Sequence, residues 1–311
     1  MTVLNECPAC GTPQPKTYAQ VAAQMHSSKE AFTFERCDLC QLVMLNPRPT
    51  PDRLHHYYGD YYLPYRGAAA WGKYRWLVRM DQARLDKRRI EVLRQYGKLT
   101  PKSVILDIGC GKPTFLQSIH LNYRSKGIGI DFSDHGWSGE PSMFPNLDLR
   151  LTSPVDVELE GPPDFITMWH FLEHDYFPHK TLSHLASLSG PDTHLVIEVP
   201  NFDSVSRKKY GSDWAGWHTP RHTFLFSPQN LSMLLEKSGW SVRKLDLAGT
   251  LPNYLLYWMS ELEKKQIDWC GSMENQFWGF AAGQAKFLLQ NLFSNGTSHG
   301  IMLLVATPTA K

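Results

Sequence analysis

From residue 103 onward the chain alternates two textures. Apolar runs of strand length at 103–108, 127–131, 164–168 and 194–199 are separated by stretches whose apolar residues recur every three or four positions. Residues 114–121 have that helical spacing, and 178–189 carry Leu182, Leu185 and Leu188 at the same period. In 227–239, Ser227 is placed to cap a helix, Pro228 takes its first position and Gly239 ends it. Strands alternating with helices predict an α/β protein with a mostly parallel, doubly wound sheet. One more strand is expected at 241–247, and 301–306 is the last apolar run. Between them lies a long interval, 250–295, whose segments 251–259 and 277–289 are rich in large apolar side chains. A connection this long is usually functional, and these segments suit core packing, the face of a homodimer, a lid or contact with a membrane surface. Upstream, 76–96 reads as an amphipathic helix, with Trp76, Leu77, Met80, Ala83 and Leu93 among Arg and Lys.

The first fifty residues show neither texture. They hold Cys7-Pro-Ala-Cys10-Gly and Cys37-Asp-Leu-Cys40, while the other two cysteines, Cys110 and Cys270, stand alone. Two such knuckles present four thiolates tetrahedrally, which suits one structural Zn²⁺ on Cys7, Cys10, Cys37 and Cys40. Too few apolar residues are evident here to hold a fold without the ion. Next come Asn46-Pro47-Arg48-Pro49 and then Tyr57, Tyr58, Tyr61, Tyr62 and Tyr65. The prolines argue against continuous helix before about Pro51. The tyrosines either pack a small module onto its neighbour or line a pocket.

Composition narrows the class. At 311 residues the chain is long enough for two domains or one large core with attachments, and 42% hydrophobic with 20% charged residues is ordinary globular chemistry. Lys plus Arg number 32 against 30 Asp plus Glu, so the whole chain is not built for a polyanion. The basic excess sits in residues 1–100, which carry 15 basic and 9 acidic side chains. No stretch has the pattern of a secretion signal or reaches the 18 apolar residues of a membrane span, so a cytoplasmic protein without a transmembrane segment is expected.

The chemistry begins at Asp107-Ile-Gly109-Cys110-Gly111. A glycine turn between strand and helix aims backbone N–H groups and the positive end of the helix at a polar ligand. Asp131, at the end of the next strand, is placed to hold a ribose, so a nucleoside cofactor is indicated. The third glycine of a dinucleotide site is replaced by Thr114, which disfavours nicotinamide.

These residues resemble a family. Leu106-Asp107-Ile-Gly109-Cys-Gly111, Gly129-Ile-Asp131 and Asp164-Phe-Ile-Thr-Met-Trp-His170-Phe-Leu-Glu173-His174 are similar, in order and spacing, to the successive motifs of class I S-adenosylmethionine-dependent methyltransferases. Val199-Pro-Asn201, Trp214-Ala-Gly-Trp-His-Thr-Pro-Arg-His222 and the helix after Ser227 resemble a bacterial branch acting on small molecules and glycans, many of which begin with a CPxCG…CxxC module. The resemblance covers about 5–65 and 100–248. It implies a Rossmann-like seven-stranded sheet whose last strand is antiparallel. Together with the pattern along the chain, in which 250–295 lies outside the resemblance, three regions are expected: a zinc-binding module with its Tyr-rich connector at 1–65, a linking helix at 66–100, and a methyltransferase domain at 101–311 with a helical insertion at about 250–295. The cofactor would be S-adenosyl-L-methionine. Gly109, Cys110 and Gly111 would approach it, Asp107 would orient the methionine end, Asp131 would accept the ribose hydroxyls, Phe132 would lie beside the adenine, and His170 would stand where the strand ends at the cofactor. Pro113 departs from the glycine usual in the family, removing a donor while remaining compatible with a first helical turn.

Methyl transfer needs alignment of the acceptor and, for a hydroxyl or weakly acidic carbon, a base. The catalytic candidates are His174, His222 and Glu173, with His218 from the same Trp-rich loop as His222. Acceptor selection is expected in that loop and in 250–295, whose aromatic residues would form a roof, rather than in the zinc module. Cys110 reads as positional, with only Lys112 as a basic neighbour. The expected acceptor is a small molecule such as a sugar, glycolipid or secondary metabolite. An RNA methyltransferase with a zinc finger would need a basic stripe across both domains, and residues 101–311 are slightly acidic. A cofactor-binding module without catalysis is the third reading.

Overall fold

The computed structural model describes residues 1–59, 61–291 and 297–310, and two sheets organise them. The smaller begins with β1 (Lys16–Ala22), β2 (Ala31–Arg36) and β3 (Val43–Leu45), paired antiparallel in sequence order. The apolar face of this module is completed by residues from elsewhere in the chain, which the sequence reading did not foresee. Val21, Phe32, Phe34, Val43 and Leu45 are buried on one face against Trp214, Trp217 and Tyr257. Leu42 and Met44, with Cys7, Cys37 and Cys40, join the main core instead. The signal was missed because the strands are short and their partners lie about 170 to 240 residues downstream, beyond any local periodicity. The connector then makes short helical turns, α1 (Pro51–Leu54) and α2 (Leu63–Arg66), before the long α3 (Arg75–Arg94).

The larger sheet follows the α/β pattern. Its strands and helices run β4 (Val104–Ile108), α4 (Thr114–Tyr123), β5 (Lys126–Asp131), β6 (Asp148–Leu151), β7 (Phe165–Trp169), α5 (Pro178–Leu188) and β8 (His194–Pro200). After β8 come α6 (Val205–Tyr210), the two-residue β9 (Phe224–Leu225), α7 (Pro228–Lys237), β10 (Trp240–Asp246), α8 (Leu255–Lys264), α9 (Phe277–Gln290) and β11 (Ile301–Pro308). The spatial order is β10-β11-β8-β7-β4-β5-β6, with β11 antiparallel to both neighbours. β4, β5, β6, β7 and β8 are parallel, so their carboxyl ends share one rim. β7 is buried on both faces: Ile166 and Met168 pack toward α5 and α7, whereas Phe165 and Trp169 pack toward α3 and α4. The cap of α7 is as the sequence indicates, with the Ser227 hydroxyl accepting from Asn230 N–H and the Asn230 side chain accepting from Ser227 N–H. β6 had escaped the pattern because it is a four-residue edge strand without a fully buried residue.

β9 belongs to the other sheet. It pairs with β3, Val43 opposite Leu225 and Met44 opposite Phe224, so the chain after β8 completes the N-terminal sheet. Trp214 and Trp217 are core residues: Trp214 Nε1 donates to Ser206 Oγ at 3.0 Å and Trp217 Nε1 to the Gly211 carbonyl at 2.8 Å. The interval 250–295, of which 292–295 lie outside the described residues, backs this loop. Ala215 N–H donates to Ser260 Oγ, Tyr210 to Glu261, and Trp258 packs with Ala70, Trp269 and Met273.

Replacing Trp214 by Ala is expected to cost about 3–5 kcal/mol of unfolding free energy in denaturant titration, because it vacates a site at 0% exposure that joins the two sheets. A loss below about 1 kcal/mol would show that this contact does not couple them.

Candidate active site

At the carboxyl end of β4 the chain turns under tight constraint. Gly109 and Cys110 donate their N–H groups to the Ile130 carbonyl at 2.8 and 3.1 Å, tying the turn to β5. Gly109 has φ +70°, and a Cβ there would stand 2.4 Å from Phe171 Cδ2, so glycine is required. Gly111 has φ +48° and nothing within 4 Å of a Cβ position, which leaves its outer face open to a ligand. Asp131 accepts from Gly111 N–H at 2.9 Å and from Ser133 N–H at 3.1 Å. Each carboxylate oxygen keeps a second lone pair, enough for two ribose hydroxyls. Phe132, 61% exposed, stands beside this acid. Pro113 is the N-cap residue of α4, where its missing N–H leaves no bond unmade. The cradle therefore fits an adenosyl cofactor.

Buried charge surrounds the cradle. Asp107 accepts from Thr167 Oγ1 at 2.6 Å, and burial pushes its carboxyl up to about 7 against the pull of that hydrogen bond and of Arg89. Burial also raises Asp131. Cys110 is buried and its thiol is pushed well up by burial, while Lys112 is paired with Glu140 at 2.7 Å. Arg89 lies over the Trp169 ring at 4.8 Å and is attracted by Glu198 and Asp107. Neither Arg89 nor Glu198 was singled out from sequence. Glu198 had a signal, being an acid inside the apolar run of β8, whereas Arg89 was one of many bases on its helix.

The loop after β7 holds a second group. His170, at φ +58°, divides its ring between Glu173 Oε1 (3.3 Å) and Glu198 Oε1 (3.0 Å). Burial would hold its imidazole down, but the two carboxylates outweigh burial and carry it up to about 9. Glu198 is fixed in turn by the N–H and hydroxyl of Thr250, where the 250–295 interval begins. His174 Nδ1 lies 3.1 Å from both the Arg221 carbonyl and the Tyr58 hydroxyl, and burial holds the ring down to about 4. His222 Nδ1 donates to the Gly216 carbonyl at 2.9 Å, its Nε2 is 3.9 Å from Glu173 Oε1, and His218 stacks on it at 4.8 Å. Burial lowers His218 and His222 as well, so the three imidazoles are neutral at pH 7.

The Tyr-rich connector covers this rim. Tyr58 meets Phe132 at 5.6 Å and His174 at 6.4 Å, Tyr62 meets His218 at 5.6 Å, and Tyr65 stacks on His135 at 4.7 Å. Tyr57 and Tyr61 face the other way, into apolar clusters. The aromatic roof is thus built from the connector, and among the described residues α8 and α9 support the Trp-rich loop from behind.

The four N-terminal cysteines converge as their spacing implies. The Sγ atoms of Cys7 and Cys40, and of Cys10 and Cys37, are 3.4 Å apart, and all four lie within 4.8 Å of one another. Zn–S bonds of about 2.3 Å put tetrahedral sulfurs roughly 3.8 Å apart, so the set could hold one zinc.

A seven-stranded sheet with this order, its glycine turn and the following acid define a class I S-adenosylmethionine-dependent methyltransferase. The chain belongs to the family described as a methyltransferase domain, whose model matches residues 80–245, more than half of its length. No curated protein matches. Similar solved structures include phosphoethanolamine N-methyltransferase 2 of Haemonchus contortus in complex with S-adenosyl-L-methionine, with a TM-score of 0.53 at 15% identity over 86% of this chain and 63% of that one. Geranyl diphosphate methyltransferase in complex with the same cofactor gives 0.50 at 15% identity over 78% and 94%. The complex between the Haloferax volcanii Trm112 methyltransferase activator and a methyltransferase gives 0.51 at 14% identity over 74% and 92%. At these identities the likeness is one of fold. No helix among the described residues is long and apolar enough to cross a membrane.

Elemental analysis should find one zinc per chain attributable to the cysteine cluster, lost in Cys37→Ser; zinc retained by that variant would remove the cluster as its site. A second expectation concerns Asp107. Below about pH 7 the free protein keeps the Asp107 proton, so a ligand presenting an ammonium group there must displace it. Cofactor affinity measured by calorimetry should rise between about pH 5.5 and 7.5 and then level off, with a smaller rise in Asp107→Asn. An affinity flat across that range, or the same slope in the variant, contradicts the assignment.

Proposed function

We propose that this chain transfers the methyl group of S-adenosyl-L-methionine to a small-molecule acceptor, such as a sugar, glycolipid or secondary metabolite, in the cytoplasm, with one structural zinc in its N-terminal module. The observation that carries the proposal is the enclosure of the histidine cluster. His218 and His222 are 8% and 6% exposed, Tyr62 lies against His218 and Tyr58 against His174, and Tyr58 also meets Phe132 beside Asp131 of the cradle. A site roofed in this way admits a compact acceptor more readily than a nucleic-acid strand, and the neighbours acting on geranyl diphosphate and phosphoethanolamine show that this fold serves such acceptors.

The cofactor, when bound, supplies an electrophilic methyl on a sulfonium. In this reading Asp107, Gly109, Cys110, Gly111, Asp131 and Phe132 form the wall of the cofactor cradle, and His170 fixes Glu173 and Glu198 beside it. Glu173, His174 and His222 face the acceptor. Their chemistry suits a hydroxyl or a weakly acidic carbon: neutral imidazoles can receive a proton, and the Glu173 carboxylate beside His222 favours the cation formed. The tyrosine roof excludes water, whose competition would waste the activated methyl group.

With a panel of hydroxylated small molecules as acceptors and radiolabelled cofactor, His222→Ala should lower turnover at least tenfold while cofactor affinity stays within about twofold, or roughly 0.4 kcal/mol. Unchanged turnover in His222→Ala removes the catalytic assignment. Methylation of RNA, with no transfer to small molecules, overturns the substrate class.

A further inference from the structure

The acceptor-facing cluster gathers several hydrogen-bond acceptors, and one of them is buried and unfilled. A backbone carbonyl can only accept, so the His222 nitrogen 2.9 Å from Gly216 O is its N–H, and the His174 nitrogen 3.1 Å from Arg221 O is likewise. The other nitrogen of each ring, Nε2, is the one those carbonyls leave over. His222 Nε2 lies 3.9 Å from Glu173 Oε1, too far for a hydrogen bond. Glu173 is 1% exposed, and its second oxygen, Oε2, has no hydrogen-bond partner. One ligand atom from each of Glu173, His174 and His222 lies within 4.8 Å of the others. Of the two Glu173 oxygens the His170 ring serves only Oε1, so a buried carboxylate oxygen without a partner and two imidazole nitrogens are left together, a set of lone pairs that a cation among them would satisfy.

We infer that Glu173, His174 and His222 form a binding site for one divalent transition-metal ion, distinct from the cysteine cluster. Three features beyond proximity support it. The ligands are of the mixed imidazole and carboxylate kind that takes Zn²⁺, Mn²⁺, Fe²⁺ or Co²⁺, in contrast to the all-thiolate N-terminal set. Each ligand already has its orienting partner: the Gly216 carbonyl for His222, the Arg221 carbonyl for His174, and the His170 ring for Glu173 at 3.3 Å. Such partners fix tautomer and ring direction at metal centres. The closure required is modest, since metal ligands at about 2.0–2.2 Å from an ion stand roughly 3–3.5 Å from each other, up to about 1.5 Å nearer than the 4.8 Å limit here. His218, whose Nε2 is buried without a partner, borders the site and stays outside the ligand set.

Three protein ligands leave coordination positions open. The inference deepens the proposed function and its catalytic meaning rests on that reading: an ion here would hold an acceptor oxygen and lower the pKa of its hydroxyl, a task otherwise left to an imidazole. Binding of the ion itself does not depend on an acceptor, so the two ideas can fail separately.

The test uses the full-length protein with its cysteine cluster loaded with zinc, titrated with Co²⁺. The expected result is one cobalt per chain in addition to the zinc, with visible absorption bands of nitrogen and oxygen ligation and no thiolate charge-transfer band in the near ultraviolet. Glu173→Gln and His222→Gln should each weaken cobalt binding by at least tenfold while zinc content and cofactor affinity are kept, which shows that the fold is intact. If a variant does not fold, the wild type alone decides. No cobalt uptake at millimolar concentration, cobalt appearing only with zinc displacement and thiolate bands, or a full equivalent surviving in folded forms of both variants would each overturn the site. Cobalt binding without methyl transfer to any small acceptor would leave the metal site standing and remove the proposed function.

Discussion

The stretch 218–225 is hydrogen-bonded on both sides, and the rest of the site depends on that. On one side Thr223 donates its N–H to the Glu173 carbonyl at 2.7 Å and its hydroxyl to the Asp175 carbonyl at 2.8 Å, which fixes the loop after β7. On the other, β9 pairs with β3, and Leu45 N–H donates to the Thr223 carbonyl at 2.9 Å. Between them Arg221, at 0% exposure, donates to the carbonyls of Tyr57 and Gln24 at 2.6 and 2.7 Å and carries the Tyr62 ring at 5.2 Å. A guanidinium this deeply buried is tolerable only while those carbonyls stay in place, because an unpaired buried charge costs several kcal/mol. The N-terminal module is therefore part of the site. It supplies the partner strand, the carbonyls that hold Arg221 and the tyrosines above the imidazoles.

Electrostatics divides the rim into two halves. Around the glycine turn the buried groups alternate in sign, with Arg89 attracted by Glu198 and Asp107, and His170 bound between Glu198 and Glu173. Around His174, His218 and His222 burial keeps the rings uncharged. Glu173 lies where the two halves meet. In the proposed reading a sulfonium donor would lie against the first half, and an acceptor that must lose a proton against the second. Alignment of the two across a desolvated boundary is the main thing an enzyme contributes to a displacement of this kind.

The sequence made the local features legible and hid those that depend on distant partners. The paired knuckles, the glycine turn, Asp131 and the Ser227 cap are set by short-range geometry, and each appears where the spacing placed it. β9 is two residues long and pairs with a strand about 180 residues earlier, so no periodicity could reveal it. The tryptophans of the loop at 214–217 suggested substrate contact, yet both are filling the core that joins the sheets. Their indirect effect is larger, since the turn they anchor presents the Gly216 carbonyl that orients His222. Glu198 and Arg221 were visible as residues but not as partners, because what singles them out is burial, and burial is a property of the assembled fold.

The β3–β9 pairing and the Arg221 hydrogen bonds couple the N-terminal sheet to the histidine-bearing segment. Hydrogen exchange, followed by mass spectrometry in the wild type and in a Cys10→Ser/Cys37→Ser variant, measures that coupling directly. With the knuckles disabled, peptides covering 218–226 and 170–175 should lose protection together with 31–45, while those covering β4 and β5 keep theirs. Retained protection in 218–226 alongside lost protection in 31–45 would show that the histidine cluster is held by the methyltransferase sheet alone, and would contradict the account.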